Sequence, residues 1–382
     1  MSMIRDRALS GLFLLVLFLP TLMAGIFREK PRDQLQEKRR LAEMPHFPRD
    51  IDATEAFPRR FEAYFNDHFK LRETLIRSHN RLKIKLLKES PQRDVLMGRD
   101  GWLFFARNHV LEDFLALEPF SQEELNERKR LLEAKRDWLA SQGIAYLFVV
   151  APNKQSIYPE YMPEGYTRSQ GVSRLDQLID YLRAKSDIAV VDLRSDLRVA
   201  KSNGAVYFSS DTHWNPEGSF IAYRRIMKAL QQLYGHADLT PRLSTEYRRV
   251  SANRKGGDLA KMLGIEADVK EAYDQLLPLF TTCAQDEDLP DYMNHDWKPF
   301  PEPVARNCPS GTLRLVMMHD SFGKALRPLL SEHFQRSVFV WQNGLTADIF
   351  KAVVLKEKPD IVIEEVVERM IYYMKTGPEY MP

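Results

Sequence analysis

At 382 residues the chain can form one large domain or two ordinary ones with ample core. Its 55 lysines and arginines nearly balance 53 acidic residues, and a net charge of +2 argues against a nucleic-acid partner. No repeat or low-complexity block interrupts a globular composition, and the two cysteines, Cys283 and Cys308, stand in no metal-ligand spacing.

The N-terminus departs from that composition. After a short basic n-region (residues 1–7), Ala8 to Phe27 is an apolar run with Arg5 and Arg7 before it and Arg28 and Lys30 after it. That length spans a bilayer. Leu22-Met23-Ala24 is a poor small-x-small cleavage site, so an uncleaved transmembrane anchor is expected ahead of a cleaved signal peptide. Either reading exports residues 28–382 and permits a disulfide between Cys283 and Cys308. Two free core thiols are the alternative.

Residues 28–90 read as a linker and helical extension. The first half is charged and carries Pro31, Pro45 and Pro48. Residues 57–89 are helical by pattern, with Phe61, Phe65, Leu75, Ile76, Leu82 and Leu86 among the apolar positions and a basic opposite face. A solvated face accounts for that charge, and an anionic polymer or membrane surface is the sharper reading.

The main domain is expected over 91–382. Gly98-Arg99-Asp100-Gly101 between two β-rich runs signals a hairpin. Ser121-Gln-Glu-Glu124 is a capping box opening a helix that Gly143 closes. Ile144–Val150 is a continuous apolar strand running into the polar loop Ala151-Pro152-Asn153-Lys154. Ser173 caps another amphipathic helix, and Ile188–Leu193 is the next strand. Asn215 is the expected N-cap, and Pro216 the first residue, of a helix with Phe220, Tyr223, Met227 and Leu230 on its stripe. Residues 236–310, Pro-dotted and including Gly256-Gly257-Asp258-Leu259, read as an irregular insertion over the sheet's edge. Leu313–Met318 is a buried strand ending in His319-Asp320-Ser321, with a helix-compatible segment, Lys324–Phe334, after it. Ser337–Trp341 and Asp360–Glu364 are the last strands. Strands alternating with helices predict an α/β fold with a parallel sheet flanked by helices.

Ser321 would sit at the sheet's C-terminal edge, where open α/β sheets bind ligands. A helix start there would offer N–H groups to an oxyanion. Ser210-Asp211-Thr212-His213-Trp214-Asn215 holds the chain's only D-x-H. Together they supply a nucleophile, a base and a carboxylate to orient the base. Taken singly, Ser321 reads as a helix cap, and Asp211 and His213 as a turn acid and a partly buried imidazole. The rival chemistry uses Asp211, His213, His319 and Asp320 as ligands of a divalent metal, which leaves Ser321 without a role.

Five stretches carry a resemblance. They are G-R-D-G-W-L-F-F (98–105), A-P-N-K-Q-S-I-Y-P-E (151–160), D-T-H-W-N-P-E-G (211–218), M-H-D-S-F-G (318–323) and P-D-I-V-I-E-E-V-V-E-R (359–369). From about residue 50 to the C-terminus the chain resembles the AlgX/AlgJ family of exported, SGNH-hydrolase-like O-acetyltransferases of bacterial exopolysaccharides such as alginate. It is most similar to the short, membrane-anchored AlgJ type. The resemblance implies Ser321 as nucleophile, His213 as base and Asp211 as the orienting acid, with D-x-H preceding Ser. It departs from many esterase relatives in carrying His319 where they have Gly. It implies a domain in the periplasm tethered to the inner membrane, or a cleaved soluble form, and no cofactor or metal. It also implies a multipass membrane-bound O-acyltransferase as acetyl donor and a polysaccharide acceptor. Phe322 and Gly323 are expected to give oxyanion N–H groups, Asn153 a further donor, and Trp214 and Tyr158 a surface for a sugar ring, with core packing the alternative for both aromatics. A polysaccharide O-acetylesterase with the same triad and a non-catalytic carbohydrate-binding assembly protein are the competing functions.

Overall fold

The computed structural model describes residues 42–48, 50–68, 72–166, 171–235, 239–289, 303–341 and 345–382, with part of 6–18. Most of the expected anchor, 8–27, and of the linker after it lies outside the described residues. Among the described residues no helix is long and apolar enough to cross a membrane. The chain divides into two compact units, Met1–Glu89 and Ser90–Pro382.

The first unit contains helices Ile51–His68 and Arg72–Leu82. Phe57 stacks on Phe61 and Phe61 on Phe65 along the first of these, in register with helical spacing.

Among the described residues the second unit is built on eleven strands. β1 (Val95–Met97) and β2 (Leu103–Phe105) form the expected hairpin. β3 (Ala145–Ala151), β4 (Val190–Asp192), β5 (Tyr247–Lys255), β6 (Lys270–Pro278), β7 (Gln285–Glu287), β8 (Val304–Asn307), β9 (Leu313–His319), β10 (Phe334–Trp341) and β11 (Ile361–Val367) follow. The main sheet has seven strands in the order β4-β3-β11-β9-β10-β8-β7. From β4 to β10 every pairing is parallel, while β8 and β7 add antiparallel at one edge. The sheet is therefore mixed rather than wholly parallel, because the chain returns from the insertion directly onto its open edge.

Both sheet faces are covered, which explains the continuous apolar runs. On β3, Leu147, Val149 and Ala151 face one core with Phe220, Tyr223 and Ile226 of helix Pro216–Tyr234. Tyr146, Phe148 and Val150 face the other, with Leu125, Leu132 and Leu139 of helix Gln122–Ser141, Leu178 of helix Arg174–Lys185 and Phe350 of helix Ala347–Glu357. Ser121 with Glu124 and Ser173 with Asp176 form complete capping boxes. Asn215 caps its helix by accepting the Gly218 N–H at 3.0 Å.

Two expectations are corrected. The segment 236–310 is not irregular throughout, since β5 and β6 make a nine-residue antiparallel ribbon and β7 and β8 join the main sheet. After Ser321 there is no sustained helix over 324–334. A 3-10 turn, Gly323–Ala325, leads into the four-residue helix Arg327–Leu330 and a further 3-10 turn.

Candidate active site

Three neighbouring strands deliver polar residues to one edge. Asn153 follows β3, Ser321 follows β9, and Glu368 and Arg369 follow β11. All lie at C-terminal strand ends, where an α/β sheet presents ligand sites.

Asp211 and His213 reach this edge on a loop pinched at its base by a bridge between Tyr207 and Trp214. Lys154 draws the loop in, its buried ammonium donating to the carbonyls of Phe208 at 3.1 Å, Ser209 at 2.9 Å and Asp211 at 2.7 Å. Burial pushes the Lys154 pKa down to about 7, against the pull of Asp258, Asp211 and Glu271. The Gly256-Gly257-Asp258-Leu259 turn closes the loop from the far side. Gly257 N–H donates to Ser210 Oγ at 2.8 Å, and Asp258 Oδ1 accepts the Thr212 N–H at 2.7 Å. A Cβ on Gly257 would lie 2.4 Å from Asp211 Cβ, so only glycine admits this approach.

Within the loop, His213 Nδ1 donates to Asp211 Oδ1 at 2.7 Å, and the His213 backbone N–H donates to the same oxygen at 3.1 Å. Asp211 Oδ2 accepts from Arg254 at 2.7 Å. Burial opposes ionisation of Asp211, but the His213 hydrogen bond and charge, with Arg254, hold its pKa well below the usual carboxylate range. The acid therefore stays charged and fixes the tautomer with Nε2 as the free, basic nitrogen. His213 Nε2 is buried and has no hydrogen-bond partner among the described residues.

Ser321 is partly exposed immediately after β9. The next residue, Phe322, is fully buried, with its ring centroid 4.9 Å from that of His213. The structure thus brings the serine turn against the Asp211–His213 pair. No hydrogen bond joins Ser321 Oγ to His213 Nε2, a contact that in unliganded sites is often long and tightens with substrate.

The turn is held from below by carboxyl groups. Asp320 Oδ1 accepts the Phe322 N–H at 2.9 Å, and Oδ2 accepts the Val367 N–H at 2.6 Å. Glu365 Oε2 accepts the Asp320 N–H at 3.1 Å, and the Gly323 amide is also directed to Glu365. Burial and the charge of Asp320 push the Glu365 pKa well up. Burial also raises the Asp320 pKa, against the pull of Arg369 and of the amides of Phe322 and Val367. The amides of Phe322 and Gly323, expected to face an oxyanion, therefore point into the protein.

Asn153 is buried, with its N–H on Glu368 Oε2 at 2.7 Å and its Oδ1 accepting from Arg369 at 3.3 Å. That leaves the Nδ2 group as the end able to donate. Trp214 and Tyr158 are core residues rather than sugar platforms. Trp214 meets Phe322 edge-on at 5.0 Å, and Tyr158 lies 4.4 Å from Trp102 with its hydroxyl accepting the Val206 N–H.

The metal ligand set Asp211, His213, His319 and Asp320 does not assemble. His319 Nδ1 donates to the Asp320 carbonyl at 2.6 Å and Nε2 accepts from Arg327 at 2.9 Å, while both Asp320 oxygens are engaged. Burial and Arg327 push the His319 pKa down to about 3, so it is a neutral structural imidazole. Its ring lies against Gly323, where a Cβ would come within 2.5 Å. Asp258 takes a place near His213 instead, with Oδ2 3.6 Å from Nδ1, and the charge of Asp211 is already met by Arg254. Cys283 and Cys308 are joined in a disulfide.

Sequence reasoning assigned no role to Lys154, Glu365, Glu368 or Arg369, although all fall inside the motifs quoted above. Charged residues at the end of, or just beyond, otherwise apolar strands were the available signal.

A serine after a central parallel strand, beside an Asp-x-His loop, defines an SGNH-hydrolase-like α/β architecture. The family model for the SGNH hydrolase-like domain of acetyltransferase AlgX matches residues 95–293, and the chain belongs to that family. The matched region includes Asp211 and His213 and ends before Ser321. Relatives named probable alginate O-acetylase AlgJ are 29% identical over 171 residues in Pseudomonas syringae pv. tomato and 28% over 228 residues in Pseudomonas aeruginosa. Those matches cover 45% and 57% of this chain and 42% and 52% of the relatives, so the chain spans about half the length of the curated relatives it matches. Among solved structures, a DHHW family protein from Eubacterium siraeum aligns with a TM-score of 0.51 at 15% identity, covering 72% of this chain and 94% of that one, a likeness of fold. The O-acetyltransferase domain of Pseudomonas putida AlgJ aligns with a TM-score of 0.47 at 19% identity, covering 75% and 95%.

Proposed function

We propose that this protein is an O-acetyltransferase that carries an acetyl group on Ser321 and delivers it to sugar hydroxyls of an exported, alginate-like polysaccharide. The observation that carries the reading is the Asp211–His213 pair, with a buried, unpartnered Nε2 packed against the residue after Ser321. The relatives named alginate O-acetylase supply the substrate class.

In the first step His213 Nε2 takes the Ser321 proton as Oγ attacks the acetyl carbonyl, while Asp211 stabilises the imidazolium. The donor's oxygen leaves with that proton, giving an acetyl-serine. In the second step His213 removes a proton from a sugar hydroxyl, which attacks the acetyl-serine and regenerates Ser321. A multipass membrane-bound O-acyltransferase is the proposed source of acetyl groups. The apolar run 8–27 and the Cys283–Cys308 bond support a periplasmic domain tethered to the inner membrane, or a soluble form after cleavage.

Incubation with an acetyl ester and a mannuronate oligosaccharide tests the reading. Acetylated oligosaccharide from wild type and none from Ser321→Ala is the expected result. Free acetate alone would assign an esterase, and polymer binding without acetate or product would assign a non-catalytic role.

A further inference from the structure

If Ser321 is acylated, the carbonyl oxygen of the tetrahedral intermediate needs donors, and the two expected amides are already spent. Phe322 N–H is bound to Asp320 at 2.9 Å, and the Gly323 amide is turned to Glu365. The Ser321 and Asn153 donors remain, beside the guanidinium of Arg369. Arg369 is half-buried just beyond β11, with its guanidinium 5.8 Å from the Phe322 ring centroid and 5.3 Å from that of Phe105. Its one hydrogen bond among the described residues is a long one, 3.3 Å from Nη1 to Asn153 Oδ1.

No carboxylate lies within ion-pair distance of Arg369 among the described residues, whereas Arg194 and Arg336 are paired with acids and Arg128 spends its donors on three backbone carbonyls. A half-buried guanidinium with one long hydrogen bond keeps most of its five N–H donors for a negative group. None of the Arg369 nitrogens is among the sealed, unpartnered polar atoms. Its remaining N–H groups are therefore not sealed off, and its nearest ring neighbour on the serine turn is Phe322, the residue after Ser321. The carboxyl groups that flank it, Asp320 and Glu365, are already turned to backbone amides.

We propose that Arg369 is a catalytic residue whose guanidinium binds the acyl oxygen as it becomes negative, with Asn153 oriented by it as a second donor. This rests on the acyl-serine reading. As the Ser321 Oγ–C bond forms, the carbonyl π pair moves onto oxygen and the serine proton passes to His213 Nε2. Arg369 donates N–H bonds to that oxygen and keeps its own protons. When the C=O re-forms, the donor's oxygen leaves and takes the proton from His213. No other species is consumed. Guanidinium suits the role because its fixed fork meets an oxyanion without reorganisation and stays charged at any working pH.

The test is the pre-steady-state burst of the full-length protein with p-nitrophenyl acetate, for wild type, Ser321→Ala, Arg369→Ala and Arg369→Lys. Arg369→Ala is expected to slow acylation by about 10²–10³-fold, as loss of an oxyanion donor does. Arg369→Lys should lose at least about tenfold, since an ammonium cannot reproduce the fork. Millimolar guanidinium chloride should restore Arg369→Ala but not Ser321→Ala, a rescue that a merely structural role would not give. Arg369→Ala acylating within about threefold of wild type, with Ser321→Ala silent, overturns the assignment alone. Should the alanine variant fail to fold, Arg369→Lys decides, with a rate within the same threefold overturning it. Acylation of Ser321→Ala at the wild-type rate would overturn the acyl-serine reading and this one with it.

Discussion

The carboxyl of Glu365 accepts the backbone N–H of Asp320 at 3.1 Å, so the residue before the candidate nucleophile is held by the neighbouring strand. β11 and β9 pair in parallel up to Glu364 and Met318, and where the ladder ends, side chains take over its hydrogen bonds. Because burial and the charge of Asp320 push the Glu365 pKa well up, a neutral amide is its closest mimic. Glu365→Gln is expected to retain stability within about 1 kcal/mol and most of the acylation rate, while Glu365→Leu strands the Asp320 amide at a cost of about 1–3 kcal/mol. Denaturant titration of the two variants, with the acylation rate beside it, checks the contrast.

Glu368 performs the same service for the other loop, accepting the Asn153 N–H at 2.7 Å and the Ser156 hydroxyl at 2.8 Å. Burial and the charge of Asp113 outweigh Arg194 and push its pKa up to about 7. A carboxyl with a raised folded pKa holds a proton that the unfolded chain has lost, so its stabilisation is complete below about pH 4.5. That contribution fades as pH rises toward 7. The stability of wild type should therefore fall relative to Glu368→Gln between pH 5 and 8, by about 2–3 kcal/mol across that span. Equal pH slopes for the two proteins would contradict this.

Much of the scaffold was legible because its physics is local. Leu313 to Met318 is short and apolar enough for a buried strand, and both cores cover it, while Ser121 with Glu124 fixed a helix start within four residues. The Asp211–His213 contact was equally readable, since acid and base lie two residues apart. The ribbon β5–β6 was hidden because neither face of it is apolar. Arg248, Arg249, Arg254 and Lys255 leave no two-residue alternation to detect. The roles of Lys154 and Arg369 depend on partners more than 50 and 200 residues away, which no spacing rule reaches. The inward turn of the Phe322 amide depends on the neighbouring Asp320, which was weighed as a metal ligand rather than as a backbone acceptor.

The Gly257 approach to Asp211 gives a test of loop positioning. Gly257→Ala inserts a methyl 2.4 Å from Asp211 Cβ and must push the acid away from His213. Acylation should drop by at least about tenfold with a stability loss of about 1–3 kcal/mol. Asp211→Asn, which keeps the shape but removes the charge, should cost more, about 10³–10⁴-fold in rate. Parallel kinetics and thermal melts separate the two effects.

The disulfide closes a loop of 25 residues between Cys283 and Cys308. Chain entropy makes such a cross-link worth about 3 kcal/mol, so the Cys283→Ser, Cys308→Ser double variant should unfold at lower denaturant with the same acylation rate in native buffer. The same loss on adding reductant to wild type, and none on adding it to the double variant, is the expected pattern.

Mass spectrometry of the protein quenched during turnover of an acetyl ester bears most directly on the central claim. The account predicts one added acetyl group, mapped to Ser321, in wild type, retained and slower to form in Asp211→Asn, and absent in Ser321→Ala and His213→Ala. An acetyl group on another residue, or full turnover by Ser321→Ala, would contradict it.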